Sequence, residues 1–256
     1  IPRSHNIPGF THGLSGLEFI DRMSHQLADL EVPIVKTEVT ALTKTDDGFR
    51  ASCGEGEIHA SIAVLASGIV DVHPPFEEWR AALAEGLLRY CPVCDAFEAA
   101  GQRIGVIGTL RHGAGKALFL RTYTKDVTLL ATQEDGSDET EGCLRDSGIK
   151  VLSTRAPRLR RVGDKVEATF NGDETAEFDV LYPAMGAQVR SGLALALGAE
   201  HDEAGYLRVD DHQRTSVDGL YGIGDVVSDL HQISVGVGHA AIAACAINTA
   251  LPRSLS

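Results

Sequence analysis

The chain has 256 residues, enough for one large domain or two ordinary ones, and its 43% apolar content can supply a sizeable core. A formal net charge of −13 argues against nucleic acid or an anionic membrane as the main partner, because both bind cationic faces. No signal peptide or bilayer-spanning apolar run is recognised, and five largely scattered cysteines indicate a reducing, cytoplasmic location rather than a secreted disulfide framework.

The N-terminal part of the chain predicts one helix followed by short strands. Ser15-Gly-Leu-Glu18 has the form of a helix capping box, with Ser15 as the N-cap. Apolar side chains then follow at helical spacing: Leu17, Ile20, Met23, Leu27 and Leu30. Three strands are predicted after this helix, over residues 34–42, 49–53 and 62–65.

A βαβ unit is predicted in the middle of the chain. A strand over 103–107, a helix over 114–123 and a strand over 127–131 imply two parallel strands joined by a right-handed crossover. The acidic stretch 134–141 is typical of an exposed loop that runs into a helix. The remaining predictions are a strand over 149–152, a hairpin at Gly163-Asp164, strands near 178–182 and 219–225, and a helix over 236–251.

Directly before this unit stands Cys91-Pro-Val-Cys94, the most informative pattern in the chain. Two thiols with this spacing can close a small disulfide ring and reopen it, so the pattern beside a βαβ unit indicates dithiol–disulfide redox chemistry. A structural zinc site is one alternative, but it requires about four protein ligands and no second pair of cysteines or histidines is present. Two inert, packed cysteines are the other alternative.

Six short motifs follow one another along essentially the whole chain. They are Asn6-Ile-Pro-Gly9, Ala66-Ser-Gly68, Cys91-Pro-Val-Cys94-Asp95, Pro183-Ala-Met-Gly186, Gly222-Ile-Gly224-Asp225-Val226 and Gln232-Ile233. In this order they resemble the motifs of the low-molecular-weight thioredoxin reductases and their relatives among the two-domain flavoprotein disulfide oxidoreductases. Each motif is weak alone, and the specificity of the resemblance lies in their order.

The resemblance implies an α/β fold of two Rossmann-like, three-layer nucleotide-binding domains, with a pyridine-nucleotide-type domain inserted into an FAD-type domain. The FAD-type domain would comprise residues 1–87 and 207–256, and the inserted domain residues 88–206. The family opens with a strand and a G-x-G-x-x-G loop that hold the FAD pyrophosphate. We expect this N-terminal βαβ segment either to precede Ile1 in a longer chain, as the lack of an initiator methionine favours, or to be absent.

The resemblance also places the nucleotide loop of the inserted domain at Gly108-Thr-Leu-Arg-His-Gly113, with Gly108 and Gly113 as cofactor-binding residues. Leu110 stands where the family has a second glycine, and its side chain should obstruct the approach of a pyrophosphate. Thr132-Gln-Glu-Asp135 replaces the arginine pair that would read the 2′-phosphate of NADPH, and its negative charge repels phosphate. NADPH use is therefore in question, and NADH or no nicotinamide stays open.

The resemblance gives roles to the residues of the redox motif. Cys94 would face the isoalloxazine ring of FAD, Cys91 would exchange with the external disulfide, and Asp95 would act as general acid–base. Pro92 removes a backbone donor and stiffens the ring. An anionic Asp95 would raise the pKa of a neighbouring thiol, which suits proton exchange better than thiolate stabilisation.

The flavin contacts implied by the resemblance lie near the two ends of the chain. The predicted cofactor-binding residues there are Asn6, Gly224, Asp225, Gln232 and Ile233. Asp225 would hydrogen-bond the ribityl chain of FAD, and a turn-forming aspartate at a strand end is the alternative. The ten histidines form no metal-ligand spacing, so no metal site is predicted.

Three functions are open at this point. The first is flavin-dependent reduction of a protein or small-molecule disulfide through Cys91 and Cys94. The second runs in reverse, as an oxygen-dependent dithiol oxidase without NADPH; the family's oxidases tend to have a histidine where this chain has Asp95, which favours the reductase. The third is a non-enzymatic redox-sensing or binding module of the same fold. The resemblance also implies a homodimer.

Overall fold

The computed structural model describes residues 3–54, 56–172 and 174–251. The chain divides into two compact units, each built from two separate stretches: the first unit contains Ile1–Glu31 and Asp71–Gly186, and the second contains Val32–Val70 and Ala187–Ser256. Compactness does not identify which nucleotide a domain binds. The limits of an inserted domain at 88–206 therefore stay a prediction.

The described residues form helices and strands with the following bounds. The helices are α1 (Gly16–Asp29), α2 (Trp79–Ala84), α3 (Pro92–Asp95), α4 (Leu110–Leu120), α5 (Asp138–Asp146), α6 (Gly192–Leu195) and α7 (Ile233–Ala250). The strands are β1 (Val39–Thr45), β2 (Gly48–Cys53), β3 (Gly56–Ala60), β4 (Ala63–Leu65), β5 (Ile69–Asp71), β6 (Ile104–Gly108), β7 (Val127–Ala131), β8 (Lys150–Ser153), β9 (Arg158–Val162), β10 (Lys165–Phe170), β11 (Glu174–Phe178), β12 (Val180–Ala184), β13 (Ala187–Val189) and β14 (Leu220–Gly222). Short 3₁₀ turns cover Ala96–Ala99 and Gly224–Val226.

A parallel sheet with the strand order β12-β6-β7-β8 forms the centre of the first unit. β6 and β7 are buried along their whole length, as expected of central parallel strands. α4 connects them and packs Ala114, Ala117 and Leu120 into the core. The predicted βαβ unit is confirmed, with Ile104 paired to Val127 in parallel register.

An antiparallel sheet with the order β9-β10-β11 also belongs to the first unit. Alternate side chains of β10 are buried, namely Val166, Ala168 and Phe170, and they share a core cluster with residues of β6 and β7. The hairpin predicted at Gly163-Asp164 is confirmed by the antiparallel pairing of β9 with β10.

The second unit combines an antiparallel sheet, β1-β2-β3, with a parallel pair, β14-β4. Its core gathers Phe49 of β2, Leu65 of β4, Leu220 of β14 and Val226 of the following turn. β4 and β14 end side by side because they are parallel, with Leu65 opposite Gly222. The Gly224–Asp225 turn leaves this sheet at the carboxyl end of β14.

The strands of the structure differ in part from those predicted. The strand predicted over 34–42 begins only at Val39, and residues 34–38 are irregular. β3 and β11 were not predicted, because β3 is exposed at every position and β11 has only Phe178 buried. Such strands are formed by backbone pairing with β2 and β10 and have no apolar alternation to mark them.

The last helix corrects one expectation. α7 is long and apolar enough, by length and composition, to cross a membrane, although no such run was predicted. A single such helix does not by itself indicate a membrane location, and most of this helix is not buried within the protein. Ala243 and Ala246 of α7 are buried against Tyr221 of β14, so part of this helix packs on the sheet of its own unit.

Candidate functional site

Cys91 and Cys94 form a disulfide with a Cα–Cα distance of 5.3 Å. Cys91 is the N-cap of α3, and Pro92 occupies the first helical position, where a missing N–H costs nothing. The N–H of Cys94 donates to the carbonyl of Cys91 at 2.9 Å, which closes the ring as a helical turn. Both cysteines are partly exposed. Within the described residues, no three His, Cys, Asp or Glu side chains form a metal-binding group.

Asp95, the last residue of α3, has a side chain that is only 11% exposed. The hydroxyl of Tyr182, a fully buried residue of β12, donates to Asp95 Oδ1 at 2.7 Å. Burial raises the pKa of Asp95, and the Tyr182 hydrogen bond and the Arg89 charge oppose that rise. Burial also raises the pKa of Tyr182, so its hydroxyl stays protonated and can donate.

Arg89 connects Asp95 to a second carboxylate. Its Nη1 donates to the backbone carbonyl of Asp95 and to Oε2 of Glu98, each at 3.1 Å, and lies 3.9 Å from Asp95 Oδ2. Glu98 Oε1 in turn lies 2.6 Å from Nδ1 of His5. Arg89 thus holds the segment from Cys91 to Glu98, and its own side chain is only 13% exposed.

Lys116 of α4 is a further cation near Asp95 that no motif indicated. Its ammonium donates to the carbonyl of Tyr90 at 2.9 Å and to the carbonyl of Pro183. Burial lowers the pKa of Lys116 to about 8, and the charges of Asp71 and Asp95 oppose the shift. The available signal in the sequence was that Lys116 is the only charged residue of the stretch 114–120.

Gly108 and Gly113, predicted to bind a cofactor, are required for packing. A Cβ on Gly108 would lie 2.3 Å from the carbonyl oxygen of Ala184 on β12, and a Cβ on Gly113 would lie 2.4 Å from Cδ1 of Leu129 on β7. Both glycines therefore allow close approach within the protein. Leu110 is buried at 2% exposure, and α4 starts there instead of at 114 because Thr109 caps it.

Four of the predicted flavin contacts lie in the second unit, where the Gly224–Asp225 turn meets the start of α7. The Gly224 N–H donates to Nδ1 of His239 at 3.2 Å, and a Cβ on Gly236 would lie 3.7 Å from the Gly224 Cα. α7 begins at Ile233, and the side chain of Gln232 does not cap it. Its first turn can therefore donate N–H hydrogen bonds to an acceptor group of a ligand. This uncapped turn and the adjacent carboxylate of Asp225 fit the FAD that the resemblance implies.

Asn6, the fifth predicted flavin contact, belongs to the first unit. Its Oδ1 accepts from the hydroxyl of Ser4 at 2.5 Å, and its side chain is exposed. The flavin-binding roles of Asn6, Gly224, Asp225, Gln232 and Ile233 all stay predictions.

Known proteins resemble this chain along nearly its whole length. The model of the family "Pyridine nucleotide-disulphide oxidoreductase" matches residues 12–244. A thioredoxin reductase of Treponema pallidum is 28% identical over 93% of this chain and 80% of its own length. A ferredoxin--NADP reductase of Streptococcus sanguinis is also 28% identical, over 92% of this chain and 76% of its own length. The two relatives are named for different redox partners, so similarity to them does not identify the substrate of this chain.

The fold is shared with solved structures as well. The thioredoxin reductase from Streptococcus pyogenes superposes with a TM-score of 0.85 at 23% identity, over 97% of this chain and 84% of that one. The predicted class, α/β with two Rossmann-like domains, is confirmed by these neighbours. The chain therefore belongs to the pyridine nucleotide-disulphide oxidoreductase family, as a disulfide oxidoreductase similar to the thioredoxin reductases.

Proposed function

We propose that this enzyme exchanges an electron pair between bound FAD and a substrate disulfide or dithiol through Cys91 and Cys94. The observation that carries the proposal is a Cys91–Cys94 disulfide in the same short helix as a buried Asp95, whose carboxylate accepts a tyrosine hydroxyl. FAD, when bound, supplies or accepts the electron pair. The residues of this chain handle the sulfur chemistry and the protons.

In the reducing direction, the thiolate of Cys91 attacks one sulfur of the substrate disulfide. A mixed sulfur–sulfur bond forms, the substrate's own bond breaks, and the departing thiolate takes a proton. The thiolate of Cys94 then attacks the Cys91 sulfur, closes the protein disulfide and releases the second substrate thiol. Two electrons and two protons have passed to the substrate, and Asp95 is the proposed proton donor and acceptor.

Reduction of a protein disulfide is favoured by the relatives, several of which are named thioredoxin reductase. Val93 and Phe97 also support a contact with a large substrate. Val93 lies between the two cysteines in the redox helix and is 62% exposed, and Phe97 lies in the turn that follows and is 82% exposed. We propose further that the enzyme works in the cytoplasm and that it is a homodimer. Light scattering of the purified protein would test the dimer.

Dithiol oxidation is the second candidate. The end of β7 presents exposed Glu134 and Asp135 where the 2′-phosphate of NADPH would need cations, which favours a reaction without that donor. In this direction, one substrate dithiol and one dioxygen give one substrate disulfide and one hydrogen peroxide, and the electron pair passes through Cys91 and Cys94.

The roles of the two cysteines are tested by trapping. In a background with Cys143→Ser and Cys245→Ser, which removes the two exposed unpaired cysteines, reduced Cys94→Ser protein is mixed with the aromatic disulfide 5,5′-dithiobis(2-nitrobenzoate). We expect a stable mixed disulfide at Cys91, seen by mass spectrometry, because the resolving thiol is gone. The matched Cys91→Ser protein should be trapped far more slowly. Equal trapping rates would contradict the proposed roles.

A further inference from the structure

The first turn of α4 is the place where a Rossmann-type unit binds a dinucleotide phosphate, through the N–H groups that a helix start leaves unpaired. Thr109 satisfies one of these groups, because its Oγ1 accepts from the N–H of His112 at 3.2 Å. Its carbonyl accepts from the N–H of Gly113 at 2.8 Å, which is the first hydrogen bond of the helix itself. This is ordinary helix capping, and alone it leaves the N–H groups of Leu110 and Arg111 to a ligand.

Those two N–H groups are bound by the loop that follows β7, residues 132–136. The N–H of Leu110 donates to the carbonyl of Gln133, and the N–H of Arg111 donates to Oδ1 of Asp135, each at 2.9 Å. The carboxylate of Asp135 thus supplies the negative charge that a phosphate would bring to the helix start. The hydrogen bond from Arg111 lowers the pKa of Asp135, so this carboxylate is ionised at neutral pH.

Packing holds the same loop against the helix. Leu110 is 2% exposed, and a Cβ on Gly136 would lie 2.5 Å from Cδ2 of Leu110. The loop can lie this close to Leu110 because residue 136 has no side chain. The loop is therefore seated on α4 by an apolar contact as well as by two hydrogen bonds.

We propose that Asp135 and the 132–136 loop occupy the phosphate position of this unit, so that the protein binds neither NADH nor NADPH there. The nicotinamide cofactor that the family name implies does not fit the residues present. Without a nicotinamide donor, the direction of exchange that balances is the oxidation of a substrate dithiol, with dioxygen taking the electron pair. The first unit then serves to carry the Cys91–Cys94 disulfide, and this last clause rests on the proposed function.

Amide hydrogen exchange of the full-length holoprotein tests the occupancy. NADH or NADPH is added at about 1 mM, the upper end of ordinary Michaelis constants. We expect unchanged exchange at Leu110 and Arg111 and no saturable change in nicotinamide fluorescence. Slower exchange of these two amides with either nucleotide would overturn the proposal.

The cap itself is tested by Asp135→Ala, with Asp135→Asn as the matched control that keeps an acceptor oxygen. Loss of the cap should speed exchange of the Arg111 amide about fivefold in Asp135→Ala and much less in Asp135→Asn. Wild-type exchange in Asp135→Ala would show that the carboxylate does not occupy the helix start. Trapping at Cys91, measured on Asp135→Ala combined with Cys94→Ser in the background without Cys143 and Cys245, reports the proposed function separately, because it requires no nucleotide.

Discussion

At the scale of single residues, the protonation of Asp95 depends on groups distant in the sequence. Burial raises its pKa, the hydroxyl of Tyr182 and the charge of Arg89 lower it, and the charge of Glu98 raises it. A carboxyl whose pKa is raised toward the working pH can both take and release a proton during thiol exchange. The surroundings of Asp95 therefore fit a general acid–base better than a permanently ionised surface carboxylate.

Tyr182→Phe isolates the hydrogen bond to Asp95. Without the hydroxyl the ionised form of Asp95 loses a donor, so the pKa of Asp95 should rise further. We expect the acidic limb of the pH profile of dithiol exchange to move to higher pH by about one to two units, since a hydrogen bond to a charged group contributes about 1.5–3 kcal/mol. The measurement is the stopped-flow rate of exchange with dithiothreitol from pH 5 to 9.

Tyr90→Phe is the control for this prediction, because Tyr90 is a partly buried tyrosine of the same unit whose hydroxyl bonds to His73 instead of Asp95. Its pH profile should match that of the wild type. A uniform loss of rate in Tyr182→Phe, with the acidic limb unmoved, would mean that Tyr182 has only a structural role.

At the scale of elements, Lys116 fastens α4 to two backbone carbonyls. One belongs to Tyr90, which precedes the redox helix, and the other to Pro183, which lies in β12. Burial lowers its pKa to about 8, against 10.5 for an ordinary lysine. Because the pKa of Lys116 is lower in the folded protein than in the unfolded chain, its contribution to stability is fully present above the unfolded pKa, near pH 10.5. That contribution is lost as the pH falls through 8.

The free energy of unfolding of the wild type should therefore rise relative to that of Lys116→Met as the pH increases from 7 to 9.5. The expected relative gain is about 2 kcal/mol, from 1.36 kcal/mol for each pH unit above 8. Urea denaturation of both proteins at the two pH values measures it. A difference that does not change with pH would contradict the buried position of this ammonium.

Elements with an apolar pattern were predictable, and those without one were not. The continuous apolar runs of β6 and β7 and the helical stretch between them gave the parallel unit, and the spacing of Cys91 and Cys94 gave the disulfide. β3 has no buried residue and left no pattern. Tyr182 and Arg89 reach Asp95 only after folding, from 87 and 6 positions away along the chain. The acidic stretch that contains Asp135 was predicted as an exposed loop, and its capping of α4 was not predictable from composition.

At the scale of the whole molecule, two compact units carry different parts of the proposed chemistry. The first contains the disulfide, its acid–base residue and a nucleotide loop filled by Asp135; the second contains the Gly224–Asp225 turn and the uncapped start of α7. Membership of the family implies FAD, and the helix start suited to a ligand is that of α7 instead of α4.

The most direct measurement is an anaerobic titration of the full-length flavoprotein with dithiothreitol and, separately, with NADH and NADPH, following the visible absorption of the flavin. We predict that dithiothreitol bleaches the flavin in the wild type and not in Cys91→Ser or Cys94→Ser, and that neither nucleotide does so. Bleaching by dithiothreitol at the same rate in all three proteins would contradict electron exchange through the Cys91–Cys94 pair.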